Sequence, residues 1–222
     1  MLYVIATPIG NLGDITLRAL DALKSADLIA AEDTRHSGIL LKHCGISKPF
    51  ISFHEHNEAM RTAQLAERLA AGATVALITD AGMPGISDPG LRLIRECIKR
   101  SLPFTILPGP SAILTALVGS GFSTQQFFFG GFLPPKSGGR ERDLRAAAAR
   151  AETSVFFESP HRLIKTLTAA HEIMPERQMC VARELTKKFE EFRHGIANDL
   201  LAHYNARPPK GEIVLLVEGR GD

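Results

Sequence analysis

This chain of 222 residues has no tryptophan and only three cysteines. Cys44, Cys97 and Cys180 are scattered, odd in number and never spaced as Cys-x-x-Cys, which argues against a disulfide framework or a thiolate zinc site and fits a reducing cytoplasm. Excess charge is lacking too. The formal net charge is +2, too small to mark a nucleic-acid binder by itself, so any basic surface must be local. No basic segment precedes the apolar Leu2–Ala6, so no signal peptide is expected. Residues 101–135 carry no charged side chain, but prolines at 103, 108 and 110 and glycines at 109, 119 and 121 break them, leaving no apolar run long enough to cross a membrane. Neither GxGxxG nor GxxxxGK[ST] occurs, which disfavours a dinucleotide or a nucleoside triphosphate.

What is present is alternation. Tyr3–Ala6, Leu28–Ala31, Phe50–Phe53, Val75–Thr79 and Phe104–Leu107 read as short buried strands. Between or after them Ile15–Ser25, Ser37–His43, Glu58–Ala71, Leu91–Arg100 and Ser111–Val118 read as helices. Strands alternating with helices predict a parallel sheet covered by helices. Near Gly121 the texture changes to the aromatic Phe127–Leu133, then to a basic stretch holding Lys136, Arg140, Arg142, Arg145 and Arg150. Alternation resumes with strands at Ser154–Phe157, Met179–Ala182 and Ile213–Val217 and helices at Leu163–Ile173 and Asn198–Tyr204. The chain is thus expected to form two α/β domains, 1–120 and 121–222.

The polar clusters fall where such sheets display function, at strand ends. The most informative is Asp80-Ala-Gly-Met-Pro-Gly-Ile-Ser-Asp-Pro-Gly90, whose three glycines and two prolines make a backbone both tight and stiff beside two fixed carboxylates. Thr7-Pro-Ile-Gly-Asn11, Glu32-Asp-Thr-Arg-His36, Pro108-Gly-Pro-Ser-Ala112 and Glu158-Ser-Pro-His-Arg162 follow other strands. Each has an ordinary structural explanation as a turn, a helix cap or a surface ion pair. Such explanations account poorly for five clusters all landing at strand ends. His54 and His56 share a strand face, yet lack a third ligand of clear spacing, so no metal is expected.

These motifs resemble the tetrapyrrole methylase superfamily, the class III S-adenosylmethionine-dependent methyltransferases, and most closely its branch acting on small-subunit ribosomal RNA. The resemblance rests on TPIGNLGDIT at 7–16, AEDTRHSG at 31–38, TDAGMPGISDPG at 79–90, PGPSA at 108–112, GFLPPKSGGR at 131–140, ESPHR at 158–162, ARELTKKFEE at 182–191 and KGEIVLLVEG at 210–219, in order along nearly the whole chain. It implies two α/β domains with the cofactor cleft between them, in a homodimer. It also implies methylation of the ribose 2′-oxygen of a cytidine in the decoding region of 16S ribosomal RNA, with the small ribosomal subunit as substrate, no membrane, and a cytoplasmic location.

Carried onto this sequence, the cofactor shell would comprise Pro8, Asp80, Ala81, Gly82, Gly85, Ser111, Ala112, Phe157, Leu185 and Gly211. Glu32, Asp33, Arg35, His36 and Glu158 are the candidates for the chemistry, with Glu184 as a further carboxylate. Arg162, Arg183 and Lys187 are the candidates for holding RNA. Two features depart from the branch: Met83 stands where threonine is usual, and some relatives continue past the position of Asp222 into a small helical region. Competing expectations are C-methylation of a corrin or porphyrin precursor, and a ribosome-binding factor without catalysis.

Overall fold

In a computed structural model the described residues are 1–221; Asp222 lies outside them. The chain divides into two compact units, with the boundary between Ser111 and Ala112.

The first unit is a parallel sheet of β1 (Leu2–Ile5), β2 (Leu28–Ala31), β3 (Phe50–Ser52), β4 (Val75–Ile78) and β5 (Phe104–Leu107), in the order β3-β2-β4-β1-β5. Alternate strand residues serve opposite faces. Ile5, Ile29, Ala31, Ala76 and Ile78 pack with α1 (Leu17–Ser25) and α2 (Thr34–His43), which contribute Leu23, Leu40 and Leu41. Leu2, Val4, Ala30, Val75 and Leu77 pack with α3 (Glu58–Ala70) and α4 (Leu91–Lys99), which contribute Leu65, Leu69 and Leu93. With both faces covered, β2 and β4 are buried at every position, which is why their sequences are unbroken apolar runs. In α3 the buried positions Thr62, Leu65, Ala66 and Leu69 repeat at the helical period. Thr16 starts α1 by accepting a hydrogen bond from the Ala19 N–H at 3.1 Å.

This arrangement has a functional consequence. The chain leaves β1 and β2 toward the α1/α2 face but leaves β4 toward the α4 face, so the connections diverge around the carboxyl end of β4. Such a switch point leaves an open crevice for ligands in α/β sheets.

The second unit begins with α5 (Ala112–Gly119), which packs against β10 (Ile213–Val217) of its own sheet; a boundary near residue 120 would have cut that helix from its partner. The sheet order is β6-β7-β10-β8-β9, with β6 (Phe127–Phe132), β7 (Thr153–Glu158), β8 (Met179–Arg183) and β9 (Glu191–Gly195). Only β6 and β7 run parallel; the other pairs are antiparallel, so the sheet is mixed. One face is covered by α6 (Ser137–Ala149), α7 (Leu163–Ile173) and α8 (Ala197–Ala206), through Leu144, Leu167 and Leu200 among others. Three elements went unread in the sequence. Phe127–Leu133 contains the edge strand β6, interrupted by an irregularity between Phe129 and Phe132, where Gly131 takes a φ of +67°. The basic run contains α6, anchored by buried Arg140, Leu144 and Ala147. Charged residues at 190–194 disguised β9, which is another edge strand.

No helix among the described residues is long and apolar enough to cross a membrane.

Candidate active site

The carboxyl ends of β2, β4 and β1 lie side by side, and hydrogen bonds lock their loops together. Thr7 and Gly82 exchange backbone bonds, Thr7 N–H to Gly82 O at 2.9 Å and Gly82 N–H to Thr7 O at 3.0 Å. The Thr7 hydroxyl adds a bond to Thr79 O at 3.0 Å. The Asp80 carboxylate accepts the Asp33 N–H at 3.2 Å, while the Asp80 N–H donates to the Glu32 carboxylate. Each of the two loops therefore holds a carboxylate of the other's motif by a backbone donor. At the far end of the loop, Glu58 Oε1 accepts the Gly90 N–H at 3.0 Å, supplying a cap that α4 otherwise lacks. Gly90 has a φ of +141°, and a Cβ there would press on Gly85 N, Leu77 and Pro84, so no other residue fits without displacing the loop. At the end of β5, Gly109 lets the Pro108–Ser111 turn approach β1: a Cβ on it would lie 3.0 Å from Ala6 Cβ.

Three carboxylates meet around this loop. Burial raises the Glu32 carboxyl, and the negative charge of Asp80 raises it further. Burial pushes Asp88 up to about 7, with Glu32 and Asp80 adding to the shift. Among the described residues no Lys or Arg stands within ion-pair distance of Glu32, Asp80 or Asp88. A cavity of about 550 Å³ opens against Gly85 and Asp88, and the cations on its wall (Arg92, Arg95 and Lys99) stand off from Asp88 beyond that distance. Such a cluster of mutually repelling acids is relieved by a cation.

The rest of the Glu32–His36 segment is committed differently. Asp33 caps α2, accepting the Arg35 N–H at 2.8 Å, and pairs with the Arg35 guanidinium at 2.7 Å, which holds its carboxyl well below the usual range. Arg35 and His36 are exposed on the first turn of α2. Asp88, named in the sequence only as a fixed charge, turns out to carry a strongly raised carboxyl. The signal was its place inside the same glycine-rich loop as Asp80.

In the second unit the candidates sit at the ends of β7, β8 and β10. Phe157 is half-buried, with ring centroids 5.1 Å from Phe129 and 5.3 Å from Phe132. Leu185 is buried in a turn where Glu184 and Thr186 both take positive φ, +51° and +64°. Gly211, at φ +81°, lies so close to the Glu184 side chain that a Cβ would collide with it. Glu158 is buried, and its oxygens are engaged by the Ser159 N–H at 2.7 Å, the Thr166 hydroxyl and the Arg162 guanidinium at 2.9 Å. Arg162 in turn donates to Leu133 O at 3.1 Å. These two residues bind each other and the fold. Lys187 is likewise held between Glu184 and Glu212, 2.9 Å from each.

Comparison with known proteins assigns the chain. The family described as Tetrapyrrole (Corrin/Porphyrin) Methylases matches residues 1–201. The chain belongs to the tetrapyrrole methylase family. Within it, the chain stands with proteins called ribosomal RNA small subunit methyltransferase I. It is 46% identical to the one from Synechocystis over 99% of this chain and 79% of that protein. It is 50% identical to the one from Mesorhizobium japonicum over 97% and 74%. It is 43% identical to the one from Thermotoga maritima over 99% and 98%. Two solved structures share the fold: the methyltransferase CobJ (TM-score 0.73, 19% identity, 99% of this chain and 94% of that one) and a uroporphyrin-III-C-methyltransferase from Thermus thermophilus (TM-score 0.68, 21% identity, 98% and 93%).

As a member of this family the chain is a methyltransferase with S-adenosylmethionine as cofactor. The first unit's strand ends suit that group. The Thr79 hydroxyl at the foot of the loop is buried with no partner among the described residues, and a cluster of carboxylates awaits positive charge, which the sulfonium and ammonium of the cofactor carry.

Proposed function

We propose that this methyltransferase acts on ribosomal RNA of the small subunit, transferring a methyl group to the ribose 2′-oxygen of a cytidine in the decoding region. The observation that carries the RNA substrate is the identity of 43–50% over nearly the full chain to proteins called ribosomal RNA small subunit methyltransferase I. The finer choice of atom and nucleotide rests on the resemblance of the motifs.

In this reading Pro8, Asp80–Gly85, Ser111, Ala112, Phe157, Leu185 and Gly211 hold the cofactor. The cofactor supplies an activated methyl group on sulfur, and the protein supplies alignment. The Thr7–Gly82 bridge and the paired Asp33–Asp80 and Asp80–Glu32 bonds fix the loop before any ligand arrives, so little ordering is left to binding. A ribose hydroxyl is a weak acid and benefits from a proton acceptor. Of the named carboxylates, Asp33 and Glu158 are poor acceptors, because Arg35 and the Arg162–Thr166 pair occupy their lone pairs. Glu32, with its raised carboxyl, is the better base.

The test is transfer of labelled methyl from S-adenosylmethionine to small ribosomal subunits lacking their native modifications, followed by nuclease mapping. We expect label on one cytidine ribose. Label on a base, or on another nucleotide, overturns the 2′-oxygen assignment while keeping the RNA substrate. Methylation of a porphyrin precursor in place of RNA would put the family's other chemistry in its stead. Tight cofactor binding without transfer to either would favour a ribosome-binding role.

A further inference from the structure

Arg162 and Lys187 are consumed by the fold, so the RNA reading needs another surface for the phosphate backbone. The second unit carries one at the junction of β8, β9 and α8. In the β8–β9 ladder Arg183 faces Glu191 and Val181 faces Arg193, which puts both arginines and Glu191 on one side of the sheet. Glu191 is the carboxylate at its centre: it accepts Arg183 Nε at 3.1 Å, Arg193 Nε at 3.0 Å and the Tyr204 hydroxyl at 3.4 Å, with His203 Nε2 at 3.7 Å. Arg183 also donates to Lys210 O at 3.2 Å. Arg207, the C-cap of α8, adds charge beside the negative end of that helix, which favours a cation. Burial, and then the charges of Arg193, Arg207 and Arg183, keep His203 below its ordinary range.

Positive charge here exceeds what Glu191 neutralises. Arg193 uses only Nε on Glu191, so both its terminal nitrogens are without a partner among the described residues. Exposed Arg207 pairs with no carboxylate among them. Planar guanidinium groups with two free nitrogens suit bidentate grip of a phosphate. The buried Tyr204 and the Glu191 network hold Arg183 and Arg193, so Arg193 is in place before a ligand binds, while Arg207 extends from the end of α8 into solvent.

We propose that this cluster, with Arg193 and Arg207 as its free donors, docks the phosphodiester backbone of the RNA substrate; the inference rests on the RNA reading above.

The experiment measures binding of the full chain to unmodified small ribosomal subunits across a salt series, for wild type, Arg207→Gln, Arg193→Gln/Arg207→Gln and, as control, Arg145→Gln on α6. The Arg207 side chain makes no hydrogen bond or ion pair among the described residues, so its variant tests the idea even where loss of Arg193 disturbs Glu191. We expect Arg207→Gln to weaken binding several-fold and lower the slope of log Kd against log salt by about 1, and the double variant to lower it by about 2. S-adenosylmethionine affinity should stay at the wild-type value in both cluster variants and melting temperature should stay there in Arg207→Gln, and Arg145→Gln should change little. An unchanged slope in both cluster variants, or an equal loss in Arg145→Gln, overturns the proposal while the RNA reading stands. Failure of wild type itself to bind subunits removes both.

Discussion

The two units both place carboxylates at or near strand ends and treat them in opposite ways. In the second unit each such acid has a cation: Glu158 has Arg162, Glu184 has Lys187, and Glu191 has Arg183 and Arg193. In the first unit Glu32, Asp80 and Asp88 gather around one loop with no Lys or Arg within ion-pair distance among the described residues; backbone donors and, for Glu32, the nearby His54 are what offset their charge. A charge that is compensated internally serves the fold, whereas mutually repelling charges are a cost that a positive ligand can remove. On the proposed reading, the contrast separates structural acids from binding acids among strand ends that look alike as sequence motifs.

The largest effect should come from breaking a compensated pair. Replacing Glu158 by Ala strands Arg162 in a mostly buried position and leaves the Ser159 N–H and Thr166 hydroxyl without their acceptor. Removing one partner of such a pair costs about 3–5 kcal/mol of stability. Urea denaturation should show that loss, with Glu158→Gln losing less because its amide oxygen still accepts. A stable Glu158→Ala protein that has lost only turnover would instead make Glu158 part of the chemistry.

A smaller effect, on ligand rather than fold, is expected from the uncompensated site. Asp80→Ala removes the acceptor of the Asp33 N–H and, in the proposed site, one charge offered to the cofactor. Calorimetry should show S-adenosylmethionine binding weakened about tenfold or more, which corresponds to at least ~1.4 kcal/mol. Unchanged affinity would remove Asp80 from the site and with it the electrostatic account of the loop.

The same contrast shows what a sequence can disclose. The first unit was legible because its strands are buried on both faces, so β2 and β4 read as apolar runs and the glycine-rich loop falls between clear elements. The second unit hid β6 behind a bulge, β9 behind its charges, and α6 behind a run of alanine and arginine in which only three positions are buried. Motif position singled out Asp80, Glu32 and Glu158 alike, but nothing in spacing tells which acid has a cation within reach. Arg162 lies four residues beyond Glu158 and was legible as its partner; Arg193 and Arg207 come together only through the β8–β9 register and the end of α8.

A third effect is a pH dependence set by Asp88. Burial and the charges of Glu32 and Asp80 hold its folded carboxyl near 7, above the ordinary aspartate range near 3.8. The folded state therefore keeps a proton that the unfolded state releases between about pH 4 and 7. Across that window the contribution of Asp88 to stability falls as pH rises, and above pH 7 its full destabilising effect is present. Asp88→Asn removes the dependence, so the variant should gain melting temperature over wild type at pH 8 and gain little or nothing at pH 4. A bound cation favours the ionised carboxyl, so S-adenosylmethionine affinity of the wild type should rise from pH 6 to pH 8, with proton release on binding, and the rise should flatten in Asp88→Asn. Should both proteins show the same pH profile of affinity, Asp88 does not face the cofactor's charge, and the cavity beside Gly85 is where it spends its field instead.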